Sequence, residues 1–309
     1  MIRPVVVNES LKRIEFYSPL LTDYEWITIT IEAVLMVMVL LSNSLVAFVI
    51  IKSPLLRHCP SNICILSLNI SDLFGGISDA IILMTLIFDE SLGAILTCRI
   101  RYLMAITWIL SSLHSLLGIT VDRIIAVCHP LRYSAIVTNQ RLIFLLTLFW
   151  MDALFVGCFT LFFTQNDCYI CDPILCLPHE YLIYFCVHCL AIIIVIICCY
   201  LKIFTIARLQ ERRHNIYTID GRFGSTTFWH RKRYVRTLVM VFSVILLFIV
   251  PIILIISIEL INGNDISLQN ARIIASLICQ STAILNPIVY IWRNRRFVYS
   301  FNRIFFKSE

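Results

Sequence analysis

The chain has 309 residues, of which 60% are hydrophobic and only 14% charged, and its formal net charge is +6. A water-soluble domain carries about 25% charged residues, so this composition excludes a chain built to face water alone. The length would allow two soluble domains, but long apolar runs leave no room for that division.

Residues 1–25 carry scattered charges and no apolar core ahead of a small-residue cleavage site, so they are expected to form an extracellular segment rather than a cleaved leader. Targeting then falls to the first apolar run. Asn8-Glu9-Ser10 is a glycosylation acceptor in that segment. Asn69-Ile70-Ser71 has the same pattern but lies inside a run, where no glycan can be added.

Seven apolar runs follow, at residues 26–51, 61–88, 100–127, 142–163, 181–206, 235–260 and 273–292. Each is near or above the ~20 residues a helix needs to cross about 30 Å of hydrocarbon. An odd number of spans puts the termini on opposite sides. Nineteen of the 25 Lys and Arg follow the first, third, fifth and seventh runs, including the cluster from Lys202 to Arg236. Arg3, Lys12, Arg13, Arg99, Arg101 and Arg272 lie on the other side. The positive-inside rule makes the first group cytoplasmic and the N-terminus external. The net positive charge is therefore a sidedness signal and not a nucleic-acid patch.

Of the thirteen cysteines, most sit inside apolar runs and behave as small hydrophobes. Cys98, Cys168, Cys171 and Cys176 lie at or beyond the outer face, in an oxidising compartment, and are the bridge candidates. The last three share the short outer loop NDCYICDPILCLPHE. Residues 293–309 alternate aromatic and basic side chains, which predicts an amphipathic helix along the inner leaflet and a short tail. The fold class is thus an all-α membrane protein, a seven-helix bundle over residues 26–292 with a short eighth helix.

Every run holds a polar or kinking residue at a depth where it is unfavourable. They are Asn43, Asp72, Ser112 with the pair Asp122-Arg123, Trp150, Tyr200, Pro251, and Asn286-Pro287-Ile288-Val289-Tyr290. In this order, on runs of this sidedness, the set resembles the rhodopsin-like (class A) family of G-protein-coupled receptors, from Asn43 to Phe301. Glu32, YLKIFTIARLQ and HPLRYSAIVTNQR are similar to adenosine receptors. A fifth run without proline, with Ile192 in its place, is similar to melanocortin receptors.

The resemblance implies a plasma-membrane receptor that passes an extracellular ligand's signal to a heterotrimeric G protein, with no enzymatic activity. It implies a Cys98–Cys171 bridge, the loop cysteine being placed by its distance from the fifth run, and an allosteric sodium ion held by Asp72, Ser112 and Asn286. Pro251 and Pro287 would kink two helices so that their cytoplasmic halves can move. Asp122, Arg123, Tyr200 and Tyr290 would then govern coupling. The outer pocket would be lined by Ala105, Ile109, Tyr184, His188, Ile252, Arg272, Ser276 and Gln280.

Several positions depart from the family pattern. Ile249 replaces the tryptophan before Pro251, and Ile256 stands where adenosine receptors carry a purine-binding asparagine. Ala105 replaces the aspartate of amine receptors, and Gln280 the retinal-binding lysine of opsins. Arg231 stands where an acid often restrains the helix-end arginine, so raised basal signalling is expected.

A channel or transporter is the competing class. It predicts paired broken helices, inverted repeats or a charged ring, and none is legible. An enzyme needs clustered ligands or a nucleophile and base. His114, His179 and His188 are far apart in the chain and are read as isolated.

Overall fold

The computed structural model describes residues 23–88, 94–164, 176–217 and 266–306. Every regular element among the described residues is helical. The long ones are α1 (Asp23–Lys52), α2 (Pro60–Phe88), α3 (Ala94–Cys128), α4 (Asn139–Phe163), α5 (His179–Tyr217) and α6 (Ile266–Arg293), and the short α7 (Arg295–Phe305) follows. Five of them, α1 to α5, contain stretches long and apolar enough to cross a membrane, and α6 contains a shorter apolar stretch, Leu277–Trp292. The sixth apolar run, with Ile249, Pro251, Ile252 and Ile256, lies outside the described residues, as do Asn8, Cys168, Cys171 and Arg231.

Local chemistry sets the helix ends. Ser53 leaves the helical region at the end of α1 because Pro54 follows it, and Pro54 then opens a one-turn helix, Pro54–Arg57. Thr138 caps α4, its side chain accepting from the Arg141 amide. Asn294 separates α6 from α7 and accepts from the amides of Arg296 and Phe297.

α3 is the central post, packed against α2, α4 and α5, while α1 packs on α2 and α6. Its residues Leu110, Ser112 and Leu113 are almost wholly buried. Two glycines allow the close approach. A Cβ at Gly157 would strike the Thr107 side chain and sit 2.9 Å from the Leu103 carbonyl, and one at Gly75 would meet the Trp108 ring at 2.6 Å. The outward faces are the apolar ones, with Leu41, Phe144, Phe155, Val187 and Leu201 exposed. Lipid, not water, is the solvent that such a surface matches.

α7 folds back along α1. Phe297 is buried against Tyr290, and Ser53 and Ser300 hydrogen-bond at 2.9 Å. The sequence-derived amphipathic segment is therefore a helix with one face anchored on the bundle.

Candidate functional site

The polar residues gather into three groups along the bundle. In the middle, Asp72 on α2 is fully buried. Asn286 of α6 donates to its Oδ2 at 3.0 Å, and Ser112 of α3 lies 3.4 Å from Oδ1 while hydrogen-bonding Ser71 at 2.9 Å. Three helices thus meet on one carboxylate. The oxygens assembled there, a carboxylate and two hydroxyls, are hard donors of the kind that suit an alkali cation. Nearby, Asn43 of α1 donates to the Ala283 carbonyl at 3.1 Å and ties α1 to α6.

The second group closes the cytoplasmic end. Asp122 is 1% exposed at the foot of α3. Ser61 donates to its Oδ2 at 2.8 Å, Tyr133 donates to its Oδ1, and Arg123 Nε lies 3.5 Å from Oδ2. Burial, reinforced by the bond to Asp122, pushes the Tyr133 phenol up to about 12, so it remains a donor at neutral pH. Tyr200 hydrogen-bonds Thr120 at 3.2 Å. Tyr290 donates to Asn62 at 3.1 Å and accepts from Asn294 at 2.9 Å. In this conformation Arg123 is engaged by its neighbouring acid, Tyr200 bonds Thr120, and Tyr290 bonds Asn62 and Asn294.

The third group is on the outer half. Ala105 and Ile109 are partly buried on α3, and Gln280 on α6 is buried near Asp79 of α2. Glu32 and Arg101 lie close enough to Asp79 to interact with it, a charged cluster that apolar periodicity alone does not reveal. Tyr184 is half exposed on α5, and its hydroxyl sits 3.4 Å from His188 Nδ1. The side chains of Ile252, Arg272 and Ser276 lie outside the described residues.

One expectation is corrected here. His114 and His188 are not isolated: their Nε2 atoms lie 3.6 Å and 3.2 Å from Oδ2 of Asp152 on α4. Separations of 36 and 38 residues hide this contact from any local motif.

Cys98 and Cys176 are both disulfide-bonded and fully buried. Cys168 and Cys171 lie outside the described residues, so the expected Cys98–Cys171 pairing stays an expectation.

A seven-transmembrane receptor (rhodopsin family) pattern matches residues 42–290, the stretch that carries both inner clusters. The chain belongs to the rhodopsin family of seven-transmembrane receptors. It is 29% identical to human adenosine receptor A2b over 222 residues, which is 63% of this chain and 64% of that one. It thus spans just under two thirds of that relative's length. It is 25% identical to guinea pig (Cavia porcellus) adenosine receptor A2a over 89% of this chain and 72% of the relative. It is 26% identical to the human protein named probable G-protein coupled receptor 21, over 87% and 80%. The architecture is therefore the family's seven-helix bundle with a short eighth helix, α7, and the chain is a multi-pass membrane receptor, not an enzyme.

Proposed function

We propose that this receptor sits in the plasma membrane with its N-terminus outside and conveys an extracellular ligand's signal to a heterotrimeric G protein. The observation that carries the reading is the Asp122-Arg123 pair, held by Ser61 and Tyr133 at the end of α3. A buried carboxylate beside a part-exposed arginine is a restraint that a partner can release. Pro287, inside α6, and Pro251 supply the kinks about which cytoplasmic helix ends swing outward. Arg231, in place of an acid, removes one resting restraint and raises basal signalling.

The relatives named as adenosine receptors suggest a nucleoside, but Ile256 lacks the amide that would read a purine. Ala105 and Gln280 likewise lack the groups for a cationic amine or for retinal. Apart from the charged cluster around Asp79, the expected lining of the outer pocket is mainly apolar, and a neutral or weakly polar ligand suits it. Asp72, Ser112 and Asn286 would hold an allosteric sodium ion, and a Cys98–Cys171 bridge would hold the outer loop over α3.

Agonist-free G-protein activation in cells tests the reading. Nucleotide exchange that rises with surface expression of the receptor supports it. A solute flux or current that needs no G protein would overturn it in favour of a channel or transporter.

A further inference from the structure

We propose that His114, Asp152 and His188 form a binding site for a divalent transition-metal cation of the zinc type, where α3, α4 and α5 meet. Their ligand atoms all lie within 4.8 Å of one another. Zinc bonds of ~2.0–2.2 Å at tetrahedral angles set neighbouring ligand atoms about 3.3–3.6 Å apart. The two measured separations from Asp152 Oδ2 are 3.2 Å to His188 Nε2 and 3.6 Å to His114 Nε2. Both are close to that spacing, and the two imidazole ligand atoms lie within 4.8 Å of each other, within reach of a small adjustment.

The hydrogen bonding points the same way. Asp152 Oδ2 is buried and accepts no hydrogen bond, although an imidazole nitrogen lies 3.2 Å away. Neither imidazole donates to this oxygen. The Asp152 side chain as a whole is 39% exposed, but this oxygen is turned inward without a donor and so favours a positive charge beside it. Asp152 lies near the middle of α4 (Asn139–Phe163), at a depth where a lone carboxylate is least tolerated.

The rings are also held in place. Phe149 stacks on His114 with centroids 4.8 Å apart, and the two imidazoles meet edge to face. The Tyr184 hydroxyl at His188 Nδ1 can accept that N–H and fix the tautomer that leaves Nε2 free as a ligand. Two neutral imidazoles, one carboxylate and a metal-bound hydroxide would give a site of zero net charge. Binding then releases a proton from the water in the fourth position, a charge balance that suits an apolar surrounding.

The test uses the full-length receptor in lipid nanodiscs, stripped with a chelator and titrated with zinc chloride. One equivalent should bind and raise the thermal midpoint, whereas magnesium chloride should leave it unchanged. His188→Ala and Asp152→Asn should abolish the shift, and Tyr184→Phe, which removes no ligand, should weaken affinity about tenfold. His188→Cys should restore binding, since a thiolate is an equally good ligand, which separates lost binding from lost folding. Cobalt(II) should give the strong visible absorption of a four-coordinate site in the unaltered receptor and not in His188→Ala. No zinc-dependent shift, or an equal shift in folded His188→Ala, overturns the proposal. So does a stability change in Asp152→Asn without any metal uptake, because the cluster would then be holding a shared proton instead.

Discussion

Replacing Asp122 by Asn changes one charge and almost no volume, and its consequence follows from the contacts at the foot of α3. Asp122 Oδ2 and Arg123 Nε are 3.5 Å apart, and at an effective dielectric of 20 the gross attraction is about 5 kcal/mol. The Arg123 side chain is 29% exposed, so water offsets much of it and the net restraint is roughly 1–2 kcal/mol. The amide still offers an oxygen to Ser61 or Tyr133, so helix packing persists. A shift of about 1.4 kcal/mol raises a resting active fraction of about 1% roughly tenfold. Agonist-free nucleotide exchange, measured in membranes matched for receptor content, should rise by that order in Asp122→Asn. Ser61→Ala deletes one donor and keeps the charge, so its effect should be much smaller. Unchanged basal exchange in Asp122→Asn, or an equal rise in Ser61→Ala, would refute the reasoning.

Arg231→Glu should restore an acid near the helix-end arginine and lower basal signalling at equal surface expression; no decrease would mean that Asp122 alone restrains Arg123. Asp72→Asn should remove any sodium dependence of agonist affinity while the receptor stays folded, so sodium responses that match in both versions would count against a sodium site. Gly157→Ala should destabilise the bundle by about 1–3 kcal/mol, because the new methyl meets Thr107 and the Leu103 carbonyl of α3; a thermal midpoint in nanodiscs reads this directly. Tyr133 has a raised folded-state pKa of about 12, so its contribution to stability is complete below pH ~10 and lost as pH rises through 12. Thermal midpoints taken between pH 9 and 12 should therefore fall more steeply in the unaltered receptor than in Tyr133→Phe.

The spans and their polar markers were legible because both obey local rules. Hydrocarbon thickness fixes the length of an apolar run, and a single Asp72 or Asn286 stands out within it. Helix ends were less legible. α5 continues to Tyr217, eleven residues past its apolar run, because ARLQERRHNIY forms helix equally well in water. Apolarity marks membrane depth, not the end of hydrogen bonding. Asp79 with Gln280, and Asp152 with the two histidines, could not be read at all. Each group joins different helices, and a contact between helices depends on their rotation, which sequence periodicity leaves open when most faces of a helix are apolar. α4 is a case in point: Asp152 is one acid in a nearly continuous apolar run, and only packing decides whether it faces lipid or the two histidines.

The inner and outer clusters share α5, and that has a mechanical consequence. His188 and Tyr200 are twelve residues apart, about 18 Å along one helix. Tyr200 is bonded to Thr120 of α3, and His188 reaches Asp152 of α4. Because an α-helix turns as a nearly rigid body, fixing the azimuth of α5 at His188 also fixes where Tyr200 points. A cation bound by His114, Asp152 and His188 would pin α5 to α3 and α4 in the rotation seen here, the one in which Tyr200 bonds Thr120. Zinc should therefore lower basal signalling, and the same His188→Ala change that abolishes zinc binding should remove that inhibition. Zinc inhibition that survives in His188→Ala would break this link between the two ends of α5, while leaving the binding measurement to stand by itself.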